Sequence, residues 1–193
     1  MKPYRSLAPL ATALSIAVVA NLGSQLLLDG LAARQGWALT IVVASVLALV
    51  FVHRAARNLD AIGDGHARFQ PWQCVGWLLV PGVNVWMTHQ VLTALWRDSQ
   101  PTRGGVLKGN ADFSVAAVNV WFGITLAAFF VPYAIVDFHI TWVPLQTTTA
   151  ALRIAQGVAF IVVVLGIAAR QREQWIDLEQ RRAVPAPTAN TLR

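Results

Sequence analysis

Residues 72–96 read WQCVGWLLVPGVNVWMTHQVLTALW, a stretch without Asp, Glu, Lys or Arg that is interrupted near its middle by Pro81, Gly82 and Asn84. A hydrocarbon core about 30 Å thick takes roughly 20 apolar residues as helix, so an unbroken run of this length crosses a membrane. This one is broken. Proline removes a backbone donor and blocks the preceding turn, glycine adds backbone freedom, and asparagine is a preferred helix cap; together they predict two half-helices, neither long enough to span. In the second half, a helical period puts His89, Gln90, Thr93 and Arg97 on one side and Met87, Val91, Leu92, Leu95 and Trp96 across the other. Whether the segment crosses or turns back decides the topology of everything after it.

Four further apolar runs flank this segment, at about 7–28, 37–53, 113–136 and 150–169. The first follows Lys2 and Arg5, is long for the apolar core of a signal peptide, and lacks a small-x-small cleavage site before Asp29, so it reads as a retained anchor. The second extends through His53, Arg54 and Arg57, whose stems reach the headgroups. The fifth run carries Arg153 near its start.

The positive-inside rule chooses between the two topologies. If the third run crosses, the basic residues divide between both sides. If it enters and leaves on one side, that side holds Lys2 and Arg5; then Arg54, Arg57, Arg68, Arg97, Arg103 and Lys108; and finally Arg170, Arg172, Arg181, Arg182 and Arg193. Only Arg34 and Arg153 remain opposite. The reading is therefore an all-α polytopic membrane bundle: four transmembrane helices plus a re-entrant or interfacial helical hairpin of about 72–96. Both termini lie in the cytoplasm, in a bacterial inner membrane. The turn from Pro81 to Asn84 is expected to pack against the spans, with Asn84 as the capping group. Residues 1–184 form one membrane-embedded domain, Arg170 to Arg182 continue as a surface helix with Trp175 toward the bilayer, and 185–193 form a disordered tail.

Composition agrees with that architecture. Of 193 residues, 56% are hydrophobic and 12% charged, and mean hydropathy is +0.53. That is about half the charge a soluble domain carries. The net charge of +6 is explained by orientation and anionic lipid and requires no nucleic acid. The single Cys74 excludes an intramolecular disulfide and a multi-cysteine metal site.

An ordered series of residues resembles the bacterial membrane proteins grouped as the domain of unknown function 4328 family. Arg54, Arg57 and Asn58 close the second run; Phe69, Gln70, Pro71 and Trp72 open the third; Trp77 precedes Pro81, Asn84 and Trp86. Leu95, Trp96, Arg97, Asp98 and Ser99 follow, then Trp121 and Phe122, then Ala169, Arg170 and Gln171. The series covers about Val52 to Gln174. The family typically carries a richer tryptophan cluster at the fourth run than Trp121 supplies. The resemblance implies an integral membrane protein and names no activity.

Residues able to carry chemistry are few. Asp137 and Arg153 sit at the outer ends of two spans, where pairing competes with simple solvation. Asn21, Gln25, Asn119 and Gln156 are neutral and suit interhelical hydrogen bonds. Asp60, Asp64, His66, His53 and His89 fit no metal-ligand spacing, and Gly63, Asp64 and Gly65 are ordinary turn residues. No phosphate loop, zinc motif or nucleophile elbow is present, so no cofactor is expected. The strongest constellation is Arg54, Arg57, Asn58, Arg97, Asp98 and Ser99, with Trp77, Pro81, Asn84 and Trp96 as its hairpin landmarks. An ion pair from Asp98 to Arg57 or Arg54 would lock the hairpin to the second helix; the alternative is separate headgroup contacts by each arginine. The function expected is a non-enzymatic scaffold or accessory subunit with a basic cytoplasmic face. Its partners would be anionic headgroups and a membrane protein or a second copy. The alternative is a small transporter or channel-like protein using the broken segment around Asn84.

Overall fold

A computed structural model describes residues 4–27, 30–62, 68–81, 83–99, 102–103, 106–107, 115–140 and 144–183. Six helices account for nearly all of them: α1 (Ala8–Leu27), α2 (Gly30–Ile62), α3 (Pro71–Leu79), α4 (Asn84–Asp98), α5 (Ala116–Asp137) and α6 (Leu145–Ala183). A two-residue antiparallel ladder pairs β1 (Thr102–Arg103) with β2 (Val106–Leu107) after the fourth helix. Helices α1, α2, α5 and α6 are long and apolar enough to cross a membrane. At 1.5 Å per residue, the 33 residues of α2 and 39 of α6 reach about 50 Å and about 58 Å, well beyond a 30 Å core.

α1 packs between α2 and α6, and α5 packs on α6. Small residues allow the close approach, since Ala11, Ala55 and Ala56 are buried. The hairpin of α3 and α4 docks at one end of this bundle, α3 against α2 and α4 against α5, α6 and α2. The core gathers at that end. Leu7 just before α1 with Ala11 and Leu14 of α1, Phe51 to Leu59 of α2, Val91 to Trp96 of α4 and Val163 to Ala168 of α6 supply most of its buried side chains.

Elsewhere large apolar side chains face outward. Leu39, Val42, Val46, Phe129, Phe130 and Tyr133 are all more than half exposed. On a soluble monomer so broad an apolar surface would drive aggregation; around four span-length helices it fits a surface turned to lipid.

The hairpin departs from expectation at its turn. Asn84 does not cap α4: the N-cap is Val83, no side chain caps the helix, and Asn84 is the first helical residue. Nor is the turn packed against the spans, because Val80, Pro81 and Val83 are exposed. The backbone instead satisfies itself locally, Asn84 N–H donating to Val80 O at 3.0 Å and Met87 N–H to Val83 O at 2.9 Å. These two bonds tie the turn to the start of α4 without a side-chain cap. At the other end of the hairpin, Pro71 occupies the first turn of α3, where its missing N–H costs nothing, and Gln70 and Gln73 close a reciprocal capping box.

Beyond the hairpin end of the bundle α6 does not break into a separate surface helix. It runs unbroken to Ala183, and Trp175 stacks on Tyr4, centroids 4.9 Å apart and planes 11° from parallel. The indole therefore meets the N-terminal segment. The expected tail at 185–193 lies outside the described residues.

Candidate functional site

A buried stripe runs along α6 through Val164, Ile167 and Ala168, and continues at the same helical spacing into Gln171 and Gln174. Gln171 is fully buried, as is Ser99 at the end of α4, and Asn58 on α2 is 3% exposed. Buried amides must find partners, and these find one another. Asn58 Nδ2 donates to Gln171 Oε1 at 3.3 Å, while Gln171 Nε2 donates to Ser99 Oγ and to Ala55 O, both at 3.1 Å. Ser99 Oγ donates back to Leu95 O at 2.6 Å.

Asn58 also holds the segment before α1. Its Nδ2 donates to Arg5 O at 2.8 Å and its Oδ1 accepts from Arg5 N–H at 3.3 Å. One side-chain amide thus pairs with both backbone groups of a single residue. The result is a polar clamp joining the start of the chain, α2, α4 and α6.

Beside it, Trp96 fastens α4 to α6. A side chain on Gly166 would collide with the indole, the nearest ring atom lying 2.5 Å from where a Cβ would sit. One turn on, the Arg170 guanidinium lies 4.0 Å from the indole centroid and donates to Trp96 O at 3.4 Å. The indole occupies a notch floored by glycine with a cation on its face, worth about 0.5–2 kcal/mol for the cation–π part.

The anticipated ion pair is absent: among the described residues Asp98 meets neither Arg54 nor Arg57. Its carboxylate accepts from the Arg68 N–H. Partial burial holds its pKa above the ordinary carboxylate value, against the lowering effect of that N–H and of the Arg68 and Arg97 charges. Asn58 and Ser99 form the lock through Gln171 instead, because neutral amides desolvate at far lower cost than an ion pair.

The other expected residues separate into two places. Asn58, Trp96, Arg97 and Asp98 converge on the clamp; Arg54 lies in the same last turns of α2, half-buried, and Arg57 there is exposed. Trp77, Pro81 and Asn84 lie along the hairpin away from it, and Trp72, Trp77 and Trp86 expose 65%, 40% and 58% of their surface. His89, half-buried, faces α5. Its Nε2 lies 3.0 Å from Asn119 Oδ1 of α5 and its ring 4.3 Å from Phe122. His53 Nδ1 lies 3.4 Å from Pro71 O, joining α2 to α3. Asp64 and His66 are outside the described residues. No group of three potential metal ligands gathers among the described residues.

Gln171 and Gly166 carry the docking yet were not singled out as its agents. The signal for Gln171 is the unbroken spacing of the α6 stripe as it passes from valine to glutamine. Gly166 has no sequence signal, since its role depends on an indole some 70 residues away in the chain.

Four span-length helices, an apolar exterior and a short docked hairpin define a polytopic α-helical bundle fitted to a multi-pass membrane protein. The chain belongs to the family described as Domain of unknown function (DUF4328), whose match covers residues 27–170. That range takes in α2 to α5 and most of the bilayer-length part of α6, including Asn58, Trp96, Ser99 and Gly166. Comparison with curated proteins and with solved structures gives no match.

Proposed function

We propose that the protein is a non-enzymatic membrane scaffold or accessory subunit of a bacterial cytoplasmic membrane. Its hairpin re-enters or lies in the inner leaflet, both termini face the cytoplasm, and the clamp end presents a basic platform to anionic headgroups and to a membrane-protein partner. The observation that carries this reading is the clamp itself. Its polar side chains are committed to one another and to backbone, and exposed Arg5, Arg57, Arg97 and Arg172 surround it. A centre whose amide side chains bond to one another and to backbone, ringed by exposed cations, suits docking better than turnover. The exposed indoles of Trp72, Trp77 and Trp86 suit a hairpin at headgroup depth, where amphipathic rings prefer to lie.

Gentle purification with native lipid, followed by mass spectrometry of what remains bound, tests the reading. Anionic lipid enriched over its bulk share, and reduced by the double change Arg57→Gln and Arg97→Gln, is the expected result. A bare protein carrying lipid in bulk proportions contradicts it.

A further inference from the structure

The end of the bundle opposite the clamp is hollow. A cavity of about 300 Å³ lies between α1, α2, α5 and α6, at the lower edge of the range for small-molecule sites. Its two ends differ in chemistry. Gln25 and Arg153, near the end of α1 and in the early turns of α6, line one end, with Asn21 and Gln156 next to them. Trp121 and Phe160, whose ring centroids are 5.7 Å apart, line the other. From Arg153 to Phe160 the helix rises about 10 Å.

The polar end offers donors. Asn21 Oδ1 already accepts from Thr40 Oγ1 at 3.1 Å, which leaves its amide N–H groups free among the described residues. The Arg153 guanidinium forms no ion pair with Asp137 or any other carboxylate among the described residues. Among the described residues no Asp or Glu lines the cavity. An exposed guanidinium with no carboxylate partner among the described residues, at the mouth of a largely apolar groove, attracts an anion, and amide side chains on the same rim can complete the coordination.

We propose that this cavity binds a single-chain amphiphile with one anionic head, the head on Arg153, Asn21 and Gln25 and the chain directed toward Trp121 and Phe160. The volume of about 300 Å³ matches one short chain. Such a ligand reaches the site either as a soluble carboxylate or as a lysolipid from the bilayer; both present one negatively charged oxygen-bearing head on a single acyl chain.

The full chain in phosphatidylcholine nanodiscs, with empty nanodiscs as background, is titrated with radiolabelled decanoate. Saturable binding is expected, weakened about tenfold or more by Arg153→Gln, as loss of a charge-assisted hydrogen bond implies. Decanol binding should be insensitive to that change. Ala44→Phe, which fills the chamber from α2, should abolish both while leaving the thermal unfolding of the protein cooperative. If Ala44→Phe fails to fold, the Arg153→Gln comparison decides alone. Decanoate binding no greater than in empty discs, or equal in Arg153→Gln and the parent, overturns the proposal. So does acetate competing as well as decanoate, which would make the site one for small anions. Displacement of decanoate by lysophosphatidylglycerol in the discs assigns the ligand to the bilayer; a lysolipid that leaves decanoate in place assigns it to soluble carboxylates.

Discussion

Gln171 sits where an apolar helix face would ordinarily end, and there it replaces packing with hydrogen bonds to three residues, two on α2 and one at the end of α4. Gln171→Leu keeps the volume and removes the bonds, leaving Ser99 Oγ and one Asn58 N–H without their partner. It is expected to cost about 1–3 kcal/mol of stability, read as a lower midpoint of thermal unfolding in detergent. Asn58→Ala and Gln171→Ala should be non-additive in a double-mutant cycle, coupled by roughly 0.5–3 kcal/mol; simple additivity would show that the two amides act separately. Gly166→Ala pushes a methyl into the Trp96 ring and is expected to cost about 1–3 kcal/mol by overpacking, with a shift in tryptophan emission as the indole leaves its notch. Ala168→Gly, on the same helix, should leave that emission unchanged. At this scale the sequence was only partly readable. Asn58, Trp96, Asp98 and Ser99 stood out by type and proximity to the membrane edge, but reading them as charges suggested an ion pair. The amides won because desolvating a carboxylate and a guanidinium costs more than burying neutral groups that satisfy each other.

The hairpin is the element on which the topology turns. Its break was legible because Pro81, Gly82 and Asn84 each oppose a continuous helix for a separate physical reason. What was not legible was how the turn is satisfied: Val80 and Val83 carbonyls do the work expected of the Asn84 side chain. Removing the break should therefore change topology rather than merely weaken a cap. The triple change Pro81→Leu, Gly82→Leu and Asn84→Leu joins α3 and α4 into one run long enough to cross, and a reporter placed after the hairpin is expected to move to the opposite side. Asn84→Ala alone should leave the reporter where it is. An unchanged reporter side in the triple variant would mean that docking on α2, α5 and α6, and not the turn, sets the hairpin.

Across the whole molecule the two ends are built differently. The end with the hairpin is filled by the core and the clamp and surrounded by arginines; the other end keeps a chamber with a single guanidinium. Arg5, Arg54, Arg57, Arg97 and Arg172 gather at the first end, and their grouping along the sequence could be read without knowledge of packing because charge bias is a property of loops. The chamber was invisible to the same reading. Asn21, Gln25 and Gln156 look alike in sequence whether they close a helix interface or line a cavity, and only the spacing between four helices separates the cases. The continuous α6, with Trp175 against Tyr4, was hidden for a related reason: an amphipathic tail reads the same whether its indole meets lipid or another ring.

That the third apolar run turns back rather than crossing is the claim on which orientation and function both rest. Single cysteines at Gly104, Ala183 and Phe138, each in a Cys74→Ala background, are exposed to a membrane-impermeant maleimide in intact cells and in inverted vesicles. The account predicts that Phe138→Cys is labelled in intact cells, while Gly104→Cys and Ala183→Cys are labelled only in inverted vesicles. Labelling of Gly104→Cys in intact cells, on the side opposite Lys2 and Arg5, would contradict it.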